Sequence, residues 1–173
     1  MRLAPGEPPP AVAASLVREA LRRGRTFRDH ARGGSMRPFI PDGSRLDVRP
    51  CDAAGTNPGD VVLVVLPGDR LVAHRLLVPP RRGRPAVTRG DRAPGWDPPI
   101  PAEDIIGLVV AATPPGGGRR DLRRPGWRLL GLVLALVGPW AGLLTAVRRP
   151  SRRPGPAASR PAPPDASNRR RRR

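Results

Sequence analysis

The chain has 173 residues, of which 26 are proline and 20 are glycine, while aromatic residues make up only 3% and tyrosine is absent. This length suggests one domain with tails, and the share of proline and glycine predicts that part of the chain is unfolded. The single cysteine excludes an intramolecular disulfide and a metal site of several cysteines, and the two histidines argue against a histidine-based metal cluster. We therefore expect no metal and no other cofactor.

All 32 basic residues are arginine. A mechanism that needs lysine as a general base or Schiff base is thereby excluded, because a guanidinium stays protonated in proteins. The net charge of +18 is concentrated in the C-terminal third, where residues 119–173 carry 15 arginines and two acidic residues. Such a charge attracts nucleic acid or anionic lipid without sequence specificity.

The N-terminal part of the chain predicts a tail followed by a helix. Residues 1–10 are proline-rich, which indicates disorder, and they lack the apolar core of a secretory signal peptide. We predict a short amphipathic helix over residues 11–29, because apolar side chains recur at helical spacing from Val12 to Leu21. Gly24 is expected to end its regular part. Docking against the domain is favoured over binding to a membrane surface.

Residues 30–112 predict a small, mainly β domain. Short apolar segments recur there at roughly ten-residue spacing and are separated by glycine and proline turns. The predicted strands are Arg45–Arg49, Val61–Leu66, Arg70–Val78, Pro85–Arg89 and Ile105–Ala111.

The C-terminal part predicts a membrane anchor. Residues 113–128 are expected to form a basic linker, and residues 129–147 contain no charged side chain. Nineteen helical residues would extend about 28 Å, close to the hydrocarbon thickness of a bilayer, so we predict one transmembrane helix. The arginine-rich tail, residues 148–173, is expected to be disordered and cytoplasmic by the positive-inside rule. These features together predict a single-pass protein of the cell membrane.

The segment Gly33-Gly34-Ser35-Met36-Arg37-Pro38 is the strongest chemical signal. Two glycines allow the backbone to turn sharply and to approach a substrate closely. Such a turn can present the Ser35 hydroxyl as a nucleophile, and its own backbone N–H can bind an oxyanion. Taken alone, a turn of this kind is more often structural.

Further short segments follow this turn in a characteristic order. They are Pro41-Asp42-Gly43-Ser44, Gly59-Asp60-Val61-Val62, Ala73-His74-Arg75 and Thr88-Arg89-Gly90-Asp91, followed by Asp97 and Ile105-Ile106-Gly107. In this order and spacing, residues 33–110 resemble the signal peptidase I family of serine endopeptidases. The usual bacterial branch of that family pairs its serine with a lysine. The lysine-free chain is similar instead to the Ser-His branch of archaea, the endoplasmic reticulum and some Gram-positive bacteria.

The resemblance implies roles for particular residues. Ser35 would be the nucleophile and His74 the general base, with Asp97 orienting the imidazole and Asp91 a supporting or competing candidate. The chain departs from the family's pattern at Arg89, where a lysine is usual, and in the two prolines that follow Asp97.

The residues that follow the nucleophile are candidates for substrate binding. By the same resemblance, Met36, Pro38 and Phe39 would contribute to a surface that accepts small residues before the cleavage site. Packing in the core is the alternative for the apolar side chains among them.

The other chemically active side chains are assigned structural roles. His30 lies in a charged stretch and is expected at the surface. Cys51 has no basic neighbour in the sequence, and we interpret it as a structural thiol. Asp42, Asp60 and Asp69 each lie in a turn rich in proline and glycine, where aspartate is a common turn residue.

We therefore expect a membrane-anchored serine endopeptidase that cleaves signal peptides or a similar exported precursor after small residues. Its fold would be a mainly β signal-peptidase-like domain with a short N-terminal amphipathic helix and one C-terminal transmembrane helix. The expected partners are the precursor polypeptide and the lipid bilayer, with contact between the arginine-rich tail and anionic lipid and no specific nucleic acid.

Two other functions compete with this one. The first is a membrane-tethered interaction protein whose arginine-rich tail binds anionic lipid or nucleic acid, with an inactive peptidase-like domain. The second is a self-cleaving regulator of the repressor type, which shares the β scaffold. The second is disfavoured because those regulators use a lysine base and carry a DNA-binding domain, for which the short N-terminal helix has no room.

Overall fold

The structure is a computed structural model that describes residues 8–133 and 136. Within these residues an antiparallel sheet of seven strands is accompanied by a short N-terminal helix and by the first turns of a second helix. The elements are α1 (Pro10–Arg22), β1 (Phe27–His30), β2 (Arg45–Arg49), β3 (Val61–Leu66), β4 (Arg70–Val78), β5 (Val87–Arg89), β6 (Ile105–Thr113), β7 (Arg120–Asp121) and α2, which begins at residue 125 and is described to residue 133.

The strands follow the order β1-β2-β6-β3-β4-β5, and β7 adds to β6. A tight turn joins β3 to β4, and all of β3 pairs with the first six residues of β4, so that Val62 lies opposite His74. In contrast, β5 pairs only with the second half of β4, from Arg75 to Val78. On that side of β4, the described strands therefore leave the first half without a neighbour.

The core lies on both faces of the sheet because alternate residues of a strand point in opposite directions. In β3, Val61 and Leu63 join one cluster while Val62 and Val64 join the other. The first cluster packs against α1 and against the loop that follows β1, and it contains Met36, Phe39 and Ile40. This explains why Val61–Leu66 reads as an uninterrupted apolar run: the strand is covered on both faces.

The predicted mainly β architecture is confirmed. Arg45–Arg49, Val61–Leu66 and Arg70–Val78 are strands with the predicted bounds. The last two predicted strands differ in length, since β5 is shorter than the predicted segment and β6 continues two residues further to Thr113.

The helix predicted over residues 11–29 is shorter than expected. Residues Pro10–Arg22 form α1, and residues Phe27–His30 form strand β1 instead. Gly24 has a positive φ of 76°, a conformation that ends helices and that glycine adopts without strain. Beyond it the backbone pairs with β2, so the sheet rather than the helix satisfies its hydrogen bonds.

The basic segment 113–128, predicted as a linker, is largely structured. Arg120–Asp121 pairs with β6, and the next residue, Leu122, is buried and donates its backbone N–H to the carbonyl of Val110 at 3.0 Å. The two-residue strand has too few positions for a periodic pattern, and one buried leucine among arginines carries no signal on its own.

Most of the predicted membrane anchor lies outside the described residues, as do the tail 148–173 and most of residues 1–10. Of the predicted span 129–147, the structure describes only residues 129–133 and 136. Within the described part of the chain, no helix has both the length and the apolar character needed to cross a bilayer.

Candidate active site

Ser35 lies in the turn-rich connection between β1 and β2. Gly33 has a φ of 89°, in the region that favours glycine, and its backbone N–H donates to Oδ1 of Asp42 at 2.7 Å. The N–H of Arg37 donates to the carbonyl of Gly34 at 3.2 Å, which closes the turn around the serine. Asp42 therefore does more than initiate its own turn, because its side chain also holds the backbone just before Ser35.

The structure brings His74 and Ser35 together although 39 residues separate them. His74 is buried in β4, and its Nε2 lies 3.2 Å from Oγ of Ser35. This is hydrogen-bond distance, at the long end of the range that suits proton transfer between a nucleophile and its base. Strand β4 carries the imidazole, while a glycine-rich turn carries the hydroxyl.

Asp97 holds the other side of the imidazole. Its Oδ2 lies 2.6 Å from Nδ1 of His74 and accepts a second hydrogen bond from the hydroxyl of Thr88 at 2.7 Å. The backbone N–H of Asp97 also donates to the carbonyl of Thr88 at 3.1 Å. Burial opposes ionisation of Asp97, but the hydrogen bonds from His74 and Thr88 outweigh it and lower the pKa of the carboxyl below its ordinary value.

An ionised Asp97 determines which nitrogen of His74 carries the proton. A carboxylate only accepts hydrogen bonds, so Nδ1 must be the protonated nitrogen of the neutral ring. Nε2 then presents its lone pair to the hydroxyl of Ser35, as a general base requires.

Gly90 packs directly against Ser35. A Cβ at this position would lie 2.9 Å from both Cβ and the carbonyl oxygen of Ser35, so a larger residue would displace the serine. The N–H of Arg92 donates to the same carbonyl at 2.7 Å. Arg89 is buried and donates to the carbonyl of Ala93, which closes the turn over residues 90–93. This turn therefore holds Ser35 through the packing of Gly90 and the hydrogen bond from Arg92.

Asp91 contacts Arg75 rather than His74. Its two carboxylate oxygens accept from Nε and Nη2 of Arg75 at 2.6 and 2.7 Å, and Nη1 of Arg75 donates to the carbonyl of Gly59 at 2.8 Å. Both side chains are almost fully buried. Burial raises the pKa of Asp91, and the hydrogen bonds from Arg75 act in the opposite direction. Of the two carboxylates considered for the orienting role, the one that contacts the imidazole is Asp97.

Replacing Asp91 by alanine is expected to destabilise the fold by about 3–5 kcal/mol, because it leaves the buried Arg75 guanidinium without its carboxylate. Chemical denaturation of the wild-type protein and of the Asp91→Ala variant measures the difference in the free energy of unfolding. The matched control is Asp104→Ala, which removes a partly exposed ion pair to Arg18 and should cost no more than about 1 kcal/mol. Equal losses in both variants would contradict the structural importance of the Arg75–Asp91 pair.

An apolar cleft of about 370 Å³ adjoins Ser35. It lies between β1 and the first half of β4, and its walls include Met36, Ile40, Leu71 and Ala73. Met36 thus occupies the position expected of a substrate-binding residue, although its side chain is also part of the core.

The other two residues predicted to bind substrate lie elsewhere. Pro38 is exposed and is not among the residues that line the cleft. Phe39 is buried and packs edge-to-face against Trp127, with ring centroids 5.6 Å apart. Core packing therefore takes Phe39 away from the cleft, because its ring fills the space between the sheet and the start of α2.

The remaining candidate groups have the surroundings expected of structural residues. His30 is exposed on β1. Burial, followed by the charges of Asp52 and Asp60, raises the pKa of the Cys51 thiol to about 11, so it stays protonated at neutral pH. Among the described residues, no three side chains of histidine, cysteine, aspartate or glutamate lie together in a way that could hold a metal ion.

Three residues of the site were not assigned a role from the sequence: Thr88, Arg75 and Gly90. Each stands beside a residue that was assigned one, in the segments Ala73-His74-Arg75 and Thr88-Arg89-Gly90-Asp91. Their position next to those residues in the sequence was the only signal of a role in the site. The contacts themselves join separate strands and loops, so they cannot be read from the sequence.

Compared with known proteins, the chain matches no protein-family model and no curated protein.

Proposed function

We propose that the protein is a serine endopeptidase in which Ser35 is the nucleophile, His74 the general base and Asp97 the residue that orients the imidazole. One continuous series of hydrogen-bonding contacts supports this assignment. Oγ of Ser35 lies 3.2 Å from Nε2 of His74, and Nδ1 of the same ring lies 2.6 Å from Oδ2 of Asp97. The same order of hydroxyl, imidazole and carboxylate performs acyl transfer on unrelated folds.

The chemistry follows from these three groups. Nε2 of His74 takes the proton of Ser35 as Oγ attacks the peptide carbonyl, and the carbonyl oxygen becomes an oxyanion near the backbone N–H of Ser35. Nε2 then gives this proton to the leaving amine as the C–N bond breaks and an acyl ester on Ser35 remains. In the second half, His74 takes a proton from water as the water oxygen attacks the ester carbonyl. The C–O bond to Oγ then breaks, the carboxyl product leaves, and His74 returns the proton to Oγ.

The cleft suits an extended polypeptide. β1 is the last strand at one side of the sheet, and the first half of β4 has an open edge among the described strands. Both line the cleft beside Ser35, so a substrate chain could add to one of these edges by backbone hydrogen bonds. Apolar walls formed by Met36, Ile40 and Leu71 favour small, uncharged side chains next to the scissile bond.

A membrane location would restrict the substrate further. The described residues of α2 and its continuation expose Leu129, Leu130, Val133 and Leu136, and arginines precede them at 119–128. Together with the uncharged run 129–147, this favours an anchor in the cell membrane with the arginine-rich tail on the cytoplasmic side, in contact with anionic lipid. Signal peptides, or a similar exported precursor, are the polypeptides that such an enzyme would meet.

Ser35→Ala should abolish cleavage of a precursor that carries small residues before the scissile bond. The full chain in detergent micelles is incubated with such a precursor, and the products are identified by mass spectrometry. Ser15→Ala is the matched control, because Ser15 lies on α1 and its hydroxyl donates only locally, to the carbonyl of Val12 at 2.9 Å.

The wild-type chain and Ser15→Ala should cut at the same bond. Full cleavage by the Ser35→Ala variant would show that Ser35 is not the nucleophile. Absence of cleavage by every chain would favour the competing function, an inactive domain that tethers a lipid-binding or nucleic-acid-binding tail.

A further inference from the structure

Helix α2 contacts the buried pair that lies beside the candidate catalytic residues. Gly131, itself buried, lies so close to the guanidinium of Arg75 that a methyl group at this position would overlap it. Arg75 is 1% exposed and is held by Asp91 and by the carbonyl of Gly59. The absence of a side chain at Gly131 is therefore what allows the helix to rest on Arg75.

Two further residues on the same side of α2 complete the contact, as expected for positions three and four apart on a helix. Trp127 packs edge-to-face on Phe39, whose ring lies 5.2 Å from the Arg75 guanidinium. The backbone of Arg128 approaches Gly59, where a Cβ would come within 2.8 Å of the Arg128 carbonyl oxygen. Nε of Arg128 also lies 2.9 Å from Oδ1 of Asp60.

The Arg75–Asp91 pair links this helix to both reacting groups. Arg75 follows His74 in β4, and Asp91 follows Gly90, whose backbone packs against Ser35. A bidentate arginine–carboxylate pair fixes orientation as well as distance. The strand that carries the base and the turn that clamps the nucleophile are thus joined by one rigid pair, with α2 behind it.

We infer that α2 is a positioning element, and that the seating of Gly131 on Arg75 holds Ser35 and His74 at their working separation. Its catalytic consequence rests on the proposed peptidase function, while the coupling between α2 and His74 does not. Helix α2 contains the first residues of the uncharged run 129–147. The segment proposed as the membrane anchor therefore also affects the separation of Ser35 and His74. Gly131, Arg75 and Asp91 are positioning residues and do not contact substrate.

Arg75 can move only at the expense of its contacts. If it shifted to admit a methyl group at Gly131, its three hydrogen bonds and its contact with the Phe39 ring would shift with it. Either α2 lifts away or the pair moves, and in both cases the support behind His74 and the 90–93 turn changes. A displacement of about 1 Å in such a support can lower a catalytic rate by about a hundredfold.

Gly131→Ala and Gly126→Ala in the full chain form the test. Both substitutions replace a glycine of the same helix by alanine, but a Cβ at Gly126 meets open space. We measure kcat and KM for cleavage of a precursor peptide, and we follow the His74 ring by NMR while the pH is varied. Gly131→Ala should lower kcat tenfold to a hundredfold with KM within twofold, and should shift the His74 ring resonances and their titration. Gly126→Ala should match the wild type in all of these.

The outcomes separate this inference from the proposed function. A lower melting temperature in Gly131→Ala with unchanged kcat and unchanged His74 titration would make the contact merely structural and overturn the inference. If the wild-type chain cleaves nothing, the peptidase assignment fails, and the NMR comparison still decides the coupling. In that case, a His74 titration that is the same in both glycine variants would overturn it as well.

Discussion

His74→Ala is expected to lower kcat/KM for precursor cleavage by about a thousandfold or more. A serine hydroxyl is a weak nucleophile at neutral pH, and general-base catalysis contributes about 10²–10⁴-fold. The chain contains no lysine that could take over the proton. The rate is measured with the full chain in micelles, by mass spectrometry of the products over time.

Two further measurements tie this loss to the proton transfer. Imidazole added to His74→Ala should restore part of the rate, because the free base can occupy the space left beside Oγ of Ser35. The double variant with Ser35→Ala should be no slower than Ser35→Ala alone, since residues that act as one unit are not additive. Near-normal cleavage by His74→Ala would show that another group removes the proton, and the mechanism proposed above would then be wrong.

Asp97→Asn is expected to lower kcat by about 10²–10⁴-fold with little change in KM. An amide can donate to Nδ1 of His74, which leaves the proton on Nε2 and removes the lone pair that Ser35 needs. His74 and Thr88 both contact Oδ2 of Asp97, and an amide nitrogen in its place has a second N–H that can donate to the Thr88 hydroxyl oxygen, so the local fold is expected to persist. Steady-state kinetics on the same precursor provide the measurement, and Asp104→Asn is the control, because Asp104 pairs with Arg18 at a partly exposed position.

The pH dependence of folding gives an independent check on Asp97. The pKa of its carboxyl is lower in the folded protein than its ordinary value, so the ionised form is favoured by folding. Its contribution is fully present above the unfolded value of about 3.9 and is lost as the pH falls through the folded value. Asp97→Asn should therefore flatten the acid limb of a curve of stability against pH. An unchanged acid limb would mean that the carboxylate does not interact with His74 in solution.

The strands of the sheet could be predicted from the sequence because their signals are local. Val61–Leu66 is an unbroken apolar run and Arg45–Arg49 alternates, and both patterns depend only on which faces of a strand are covered. Ser35 and His74 could be singled out because the order of the short segments around them resembles that of the signal peptidase I family, and the absence of lysine favoured the histidine as the base.

Other features could not be read in this way because they depend on neighbours that are distant along the chain. Asp91 and Asp97 both follow the same strand, and only the path of the loop between them brings Asp97 to the imidazole and Asp91 to Arg75. Likewise, Phe39 lies only four residues after Ser35 in the sequence, yet its ring is buried in the core. There it packs against Trp127, which is distant from it along the chain.

By itself, the sequence determined the mainly β architecture and the exclusion of a lysine mechanism, which follow from short-range periodicity and residue type. The nucleophile and base to be tested came from the order of short motifs, which resembles that of the signal peptidase I family. Only the tertiary structure decided which carboxylate contacts His74, that β1 and β7 join the sheet, and that α2 rests on Arg75 through Gly131. The physical reason is that these outcomes depend on the close fit of segments far apart in the chain, where one methyl group or one carboxylate position changes which contacts can form.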